Sequence, residues 1–241
     1  MKIYSKTDIG KARHSNQDAF FVGELENGAV FAIVCDGMGG AKAGNVASET
    51  AVKVISEYVL HSYRIGMDPF KIEKMLTNAI ESANIDIFEK ASKNTELSGM
   101  GTTAVVALIE SSKAVIAHVG DSRAYLVNDE LLQLTKDHSV VQTLLESGKI
   151  TPEDAKVHPR KNVITRALGA EKDIVADCIQ IEFLKGQTLL LCTDGLSSYA
   201  DANDILQAFK ENDSSEVPEK LINLANSGGG GDNITVVTVV S

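Results

Sequence analysis

The chain has 241 residues, of which 44% are hydrophobic and 23% charged, and its formal net charge is −10 at pH 7. That length is ample to bury a core, and the acidic balance argues against non-specific nucleic-acid binding and against docking on anionic membranes, both of which need basic patches. No apolar run approaches the roughly 18 residues of a bilayer span. The start, Met1-Lys2-Ile3-Tyr4-Ser5, lacks the basic and apolar regions of a signal peptide. Cys35, Cys178 and Cys192 lie in apolar segments and read as reduced thiols of a cytoplasmic protein.

Residues 2–9 alternate weakly and can open a sheet as an edge strand. A polar loop, TDIGKARHSNQD, runs from Thr7 to Asp18. Residues 19–23 and 29–35 read as strands joined by an Asn27-Gly28 turn, which makes a hairpin. The second of these strands is very apolar and stops at Asp36, followed by Gly37, Gly39 and Gly40, which let the backbone turn tightly. Helical spacing runs over 44–60, with Val46, Ala47, Ala51, Val54, Ile55 and Val59 on one face. A second helix is expected from Pro69 to about Ser92, and the two form an antiparallel pair against a sheet. Residues 99–109, 113–119, 123–127 and 131–134 read as a meander of antiparallel strands, with Gly120-Asp121-Ser122 as one of its turns. Residues 135–167 break the pattern and hold one expected short helix, 139–147. Strands resume at 174–182 and 187–193; helices follow at 202–210 and 217–225. A glycine loop at 227–231 precedes a closing strand at 233–240. Alternating βαβ units are missing, which favours two packed antiparallel sheets with helices outside.

Five acids share one context, a turn or strand end beside Gly, Ser or Asn: Asp18, Asp36, Asp121, Asp194 and Asp232. Singly, each is explained by turn or capping preferences. Together they point elsewhere. Asp36 and Asp194 both follow apolar runs, AVFAIVC and TLLLCT, and a buried carboxylate is costly unless it is paired or binds metal. Carboxylates without neighbouring His or Cys select hard cations, Mg2+ or Mn2+ rather than Zn2+. Two such ions sharing a carboxylate suit phosphoester hydrolysis. Arg13, five residues before Asp18, adds a guanidinium that can hold phosphate bidentately, although its position alone is also that of a surface arginine.

With these residues in hand, the chain resembles the metal-dependent protein Ser/Thr phosphatases of the type 2C family, in their short bacterial form. The resemblance is carried in order by TDIGKARHSNQDAF, FAIVCDGMGGAKAGNVAS, GMGTTAVVAL, AHVGDSRAYL, LTKDHS, HPRKNVITRALG, LLLCTDGLSS and GGGGDNITVVTV, so it covers nearly the whole chain. It implies an α+β fold, a four-layer αββα sandwich of two antiparallel β-sheets packed face to face and flanked by antiparallel helix pairs. It implies one catalytic domain, 1–241, with a flap at about 140–166. It also implies hydrolysis of phosphoserine and phosphothreonine by a metal-activated water without a phosphoenzyme. By position, Asp36 matches the carboxylate bridging two metals and the Gly37 carbonyl a ligand of one. Asp194 and Asp232 match ligands of the other, and Asp18 an acid that holds metal waters. Asp121 matches a ligand of a weaker third metal, shared with Asp194, and Arg13 the phosphate-binding arginine. The implied cofactors are Mn2+ or Mg2+. The implied partners are phosphorylated proteins, including a Ser/Thr kinase and its substrates, with no nucleic acid and no membrane. A monomer is expected. Met38 stands where eukaryotic members carry a histidine proposed as general acid; methionine donates no proton, so the proton donor is left open. A catalytically idle phosphatase-like binding module and a small-molecule phosphohydrolase are the competing readings.

Overall fold

The computed structural model describes the backbone of residues 1–241 and all side chains but those of Glu26, Ala41 and Lys42. In chain order the strands are β1 (Lys2–Asp8), β2 (Asp18–Glu24), β3 (Val30–Met38), β4 (Gly101–Thr102), β5 (Ala104–Glu110), β6 (Lys113–Val119), β7 (Arg123–Val127), β8 (Leu131–Gln133), β9 (Asp177–Glu182), β10 (Thr188–Cys192) and β11 (Ile234–Val240). The helices are α1 (Gly40–Ser62), α2 (Pro69–Lys93), α3 (Val140–Glu146), α4 (Pro152–Val157), α5 (Asp194–Ser197), α6 (Ala202–Glu211) and α7 (Val217–Ser227). One antiparallel sheet runs β2-β3-β5-β6-β9, with β4 beside β3; the other runs β1-β11-β10-β7-β8.

The central strands β3, β5, β6, β10 and β11 have two buried faces, which is why they read as continuous apolar runs rather than alternating ones. On β3, Phe31, Ile33 and Cys35 face α1 and α2, while Val30, Ala32 and Val34 face the second sheet. On β10, Leu189 and Leu191 point between the sheets, and Leu190 and Cys192 point to α6 and α7. Three apolar layers result, one between the sheets and one under each helix pair. Each fully buried Leu, Ile, Val or Phe contributes about 1.5–3 kcal/mol, and their β-branched, bulky sequence fixes the strand register.

Five expectations need correction. Residues 113–127 do not continue a meander, because β6 and β7 belong to different sheets. The Gly120-Asp121-Ser122 turn crosses between the sheets, and Gly120 sits at φ +104 with Thr103 Cγ2 only 2.5 Å from where a Cβ would be. The apolar strand expected to stop at Cys35 runs on to Met38, because Gly37 and Met38 pair with Thr102 and Gly101. The first helix starts at Gly40, not Gly44. Gly44 lies inside the helix and marks a close approach, since a Cβ there would lie 2.7 Å from the Gly37 carbonyl oxygen. Finally, the strand expected over 99–109 is broken at Thr103, whose hydroxyl accepts a hydrogen bond from Asp36 N at 2.9 Å. The 135–167 excursion also carries two helices instead of one. The second, α4, starts on a capping box of Thr151 and Asp154.

Candidate metal centre

The acidic positions converge because one end of both sheets delivers them. Asp18 opens β2 directly opposite Asp36 on β3. Asp121 lies on the crossing after β6. Asp194 follows β10 as the first residue of α5, so it begins a helical turn rather than ending a strand. Asp232 precedes β11. Asp36, Gly37, Asp121, Asp194, Asp232 and Arg13 line one open cleft of about 760 Å³, together with Met38 and His14. Asp18 lies behind the cleft, where its Oδ2 accepts from the Thr193 and Thr235 hydroxyls at 2.9 and 2.7 Å.

The backbone around these acids is held by polar side chains that single-residue reading does not flag. Thr102 Oγ1 donates to the Asp36 carbonyl at 2.8 Å, and Thr103 N donates to the same carbonyl at 2.9 Å. The Thr103 hydroxyl also meets Ser122 Oγ at 2.7 Å, which couples the Asp36 strand to the Asp121 crossing. Asn233 Oδ1 accepts from Gln17 N at 2.8 Å, and its Nδ2 donates to the Ile9 and Ser15 carbonyls. That pins the 9–17 loop against the 228–233 loop and brings Arg13 Nη2 within 2.7 Å of Asp232 Oδ2.

The electrostatics are unfavourable for carboxylates alone. Burial pushes Asp18 up to about 7, although the Thr235 and Thr193 hydroxyls pull it back. Asp121 also rises to about 7, through burial first and then the charges of Asp194 and Asp137. Asp36 is held well above its ordinary value by burial, then by Asp18 and Asp194. Asp194 is raised by burial and by Asp232. Asp18 Oδ1 and Asp194 Oδ1 are buried with no hydrogen-bond partner among the described residues. The nearby Arg123 gives neither oxygen a hydrogen bond, because it forks onto Asp137 at 2.7–3.2 Å; only its charge partly offsets the rise at Asp121 and Asp194. Unpartnered buried carboxylate oxygens in an all-oxygen donor set fit hard divalent cations.

A different donor cluster invites a metal and argues against one. Donor atoms of His118, His138 and Asp177 lie within 4.8 Å of one another. However, Gly120 N donates to His138 Nδ1 at 3.0 Å, so in the neutral ring the proton sits on Nε2, which faces Asp177 Oδ2 at 3.3 Å. That nitrogen has no lone pair for a metal. The cluster instead works as a clasp. His138 N donates to the Gly120 carbonyl at 2.9 Å, and Thr165 N donates to the His138 carbonyl at 2.8 Å. His138 thereby ties the Asp121 crossing to both roots of the 140–166 segment. His138→Gln, which moves the acceptor away from Gly120 N, is expected to lower stability by about 1–3 kcal/mol. His138→Asn, which keeps an acceptor near the Nδ1 position, should cost less. Urea unfolding of the two variants checks the order; equal losses would sink the clasp.

The sequence profile described as protein phosphatase 2C matches residues 11–226. The serine/threonine phosphatase stp of Listeria monocytogenes is 43% identical over 236 residues, which is 97% of this chain and 93% of that protein. The solved structure of serine/threonine phosphatase Stp1 from Staphylococcus aureus superposes with a TM-score of 0.93 at 35% identity, over 100% of this chain and 94% of that one. The catalytic domain of the serine threonine protein phosphatase PstP, solved with 2 manganese ions, has a TM-score of 0.85 at 34% identity, over 100% of this chain and 98% of that one. An αββα sandwich with acids gathered at one end of its sheets, matched in sequence and in shape over nearly its full length, places this chain in the protein phosphatase 2C family.

Proposed function

We propose that this enzyme hydrolyses phosphoserine and phosphothreonine in proteins, with divalent metal ions in the acidic cleft. The observation that carries the proposal is the convergence of five carboxylates, two with unpartnered buried oxygens, on a cleft whose one lining arginine is Arg13. In this reading Asp36 and the Gly37 carbonyl hold one ion, and Asp36, Asp194 and Asp232 hold the second. Asp18 orients water from behind, and Asp121 with Asp194 holds a weaker third. When bound, such ions supply Lewis acidity and a water acidic enough to attack phosphorus. Mn2+ and Mg2+ both suit the oxygen donors.

The chain's own residues do the rest. Arg13 spends one N–H on Asp232, and its remaining guanidinium donors orient the phosphate oxygens. The hydroxyls of Thr193 and Thr235 fix Asp18, so its free oxygen keeps one direction. Met38 lines the cleft but carries no transferable proton. Residues 1–241 act as one catalytic domain with 140–166 as its flap. The physiological targets in this reading are a Ser/Thr kinase and its substrates, met by a monomer in the cytoplasm.

The test is turnover of a phosphothreonine peptide and of an aryl phosphate, each with Mn2+, with Mg2+ and with a chelator. Both substrates should be hydrolysed, and chelation should stop both reactions. Turnover that survives chelation would overturn the metal reading. Activity on the aryl phosphate alone would favour a small-molecule phosphohydrolase, and none on either would favour an idle binding module.

A further inference from the structure

Met38 lines three cavities. One is the acidic cleft; a second, of about 570 Å³, carries Arg166, Glu171 and Asp173; the third is a groove of about 400 Å³ bounded by Phe88, Ala91, Met100, Ala167 and Ala170, with the Ser92 and Ser98 hydroxyls at its edge. Among the described residues, no ionisable side chain lines this groove. The groove on the opposite flank of the cleft differs in kind. It is about 630 Å³ and carries Lys156, Lys161, Asp137, Asp201 and Asp204. A polypeptide whose phosphate sits by Arg13 must leave the cleft across its rim, and Met38, with Ile164, is an apolar part of that rim.

The far wall of the groove, residues 167–172, is not a strand, yet it is firmly fixed. Leu168 exchanges two backbone hydrogen bonds with Thr102, at 2.9 and 3.1 Å. Asn84, only 1% exposed on the apolar face of α2, donates through Nδ2 to the Glu171 and Lys172 carbonyls at 3.0 and 2.9 Å. Its Oδ1 accepts from Gly169 N at 2.7 Å. Gly169 sits at φ +83, where a Cβ would come within 2.3 Å of Ile87 Cγ2. A buried amide is tolerated in such a place only when its hydrogen bonds are made. Here all of them go to the groove wall and none to the acidic site. A wall fixed in advance spares a ligand the cost of ordering it.

We propose that this groove is a specificity subsite that receives an apolar side chain of the substrate polypeptide, close in sequence to the phosphorylated residue. The inference rests on the phosphatase reading of the cleft. An extended chain advances about 3.3–3.6 Å per residue, so the side chain that reaches past Met38 lies within a few positions of the phosphothreonine. Leu, Met, Ile or Phe there meets Met38, Phe88 and Met100. Asp or Glu there loses water and meets no cationic side chain, only the Ser92 and Ser98 hydroxyls.

The experiment uses the whole chain loaded with Mn2+ and a set of phosphothreonine peptides. One flanking position at a time is set to Ala, Leu or Glu, and an aryl phosphate serves as the control. At one position Leu should exceed Ala about tenfold in kcat/KM, with Glu the poorest. Ala170→Glu and Ala91→Glu, both at residues with some solvent exposure, should reduce that ratio to near one and leave aryl phosphate turnover unchanged. The proposal is overturned by ratios within about twofold at every position, or by a preference that survives both variants. Parent enzyme that turns over neither peptide nor aryl phosphate would overturn the phosphatase reading, and the subsite with it.

Discussion

Asp36→Asn is expected to abolish turnover and, at the same time, to raise the melting temperature of the metal-free protein. Asp36 lies deep in the cleft opposite Asp18, and its charge is opposed by burial and by Asp18, Asp194 and Asp121. Asparagine keeps the shape and removes the charge, so the metal-free fold gains stability. The same substitution takes away the carboxylate proposed to serve two ions. Losing one well-placed electrostatic group costs about 10²–10³-fold in kcat, and losing a bridging ligand should cost at least the upper figure. Steady-state rates on a phosphothreonine peptide and melts without metal check both halves. A variant that loses activity and also melts lower without metal would mean that Asp36 is chiefly a structural residue. A variant that keeps activity would remove it from the metal site.

Divalent cation should stabilise the protein strongly, and more so at pH 8 than at pH 5. Asp18 and Asp121 have an ordinary value of 3.8 and rise to about 7 in the fold. A group raised in this way favours the folded state fully below pH 3.8, where both states are protonated. That contribution is lost as pH rises from 3.8 to about 7, because the unfolded chain ionises first. Above about 7 the metal-free protein carries the whole penalty, and a cation that pairs with the ionised carboxylates relieves it. Saturation at about 100 times Kd contributes about 2.7 kcal/mol, or about 5–10 °C for a chain of this size. At pH 5 protons compete for the same oxygens and the shift should shrink. Calorimetric melts with Mn2+ or chelator at the two pH values give the answer. An equal or larger shift at pH 5 would refute the carboxylate origin of the effect.

The helix pairs and most strands were legible because each buries an apolar face with a regular period, as with Ile72, Leu76, Ala79, Ile80 and Ala83 along α2. The crossing at Gly120 was not legible. A Gly-Asp-Ser segment between two apolar runs has the chemistry of a hairpin turn, and only the sheet packing decides that the chain changes layers. The start of α1 reads four residues late in the sequence because Gly40 groups with the turn glycines Gly37 and Gly39, whereas it is the first residue of the helix. The α4 helix could have been found, because Thr151-Pro152 with Asp154 is a complete starting signal. At the site, the acids stand out by their Gly, Ser and Asn neighbours and the family resemblance. Thr103, Asn233 and His138 do not, since their partners lie far off in sequence and a lone Thr, Asn or His has many ordinary roles.

The pairing of β1 with β11 has a consequence for synthesis. Thr7 meets Thr235, 228 residues further along the chain. β11 also fills the place between β1 and β10. A nascent chain leaving the ribosome therefore holds β1 without its neighbour until residues 234–240 emerge. The same last stretch delivers Asp232 to Arg13 and the Thr235 hydroxyl to Asp18. Long-range closure of this kind is slow and comes late. Closure of this sheet, and with it the placing of Asp232 beside Arg13 and of Thr235 beside Asp18, therefore waits on β11.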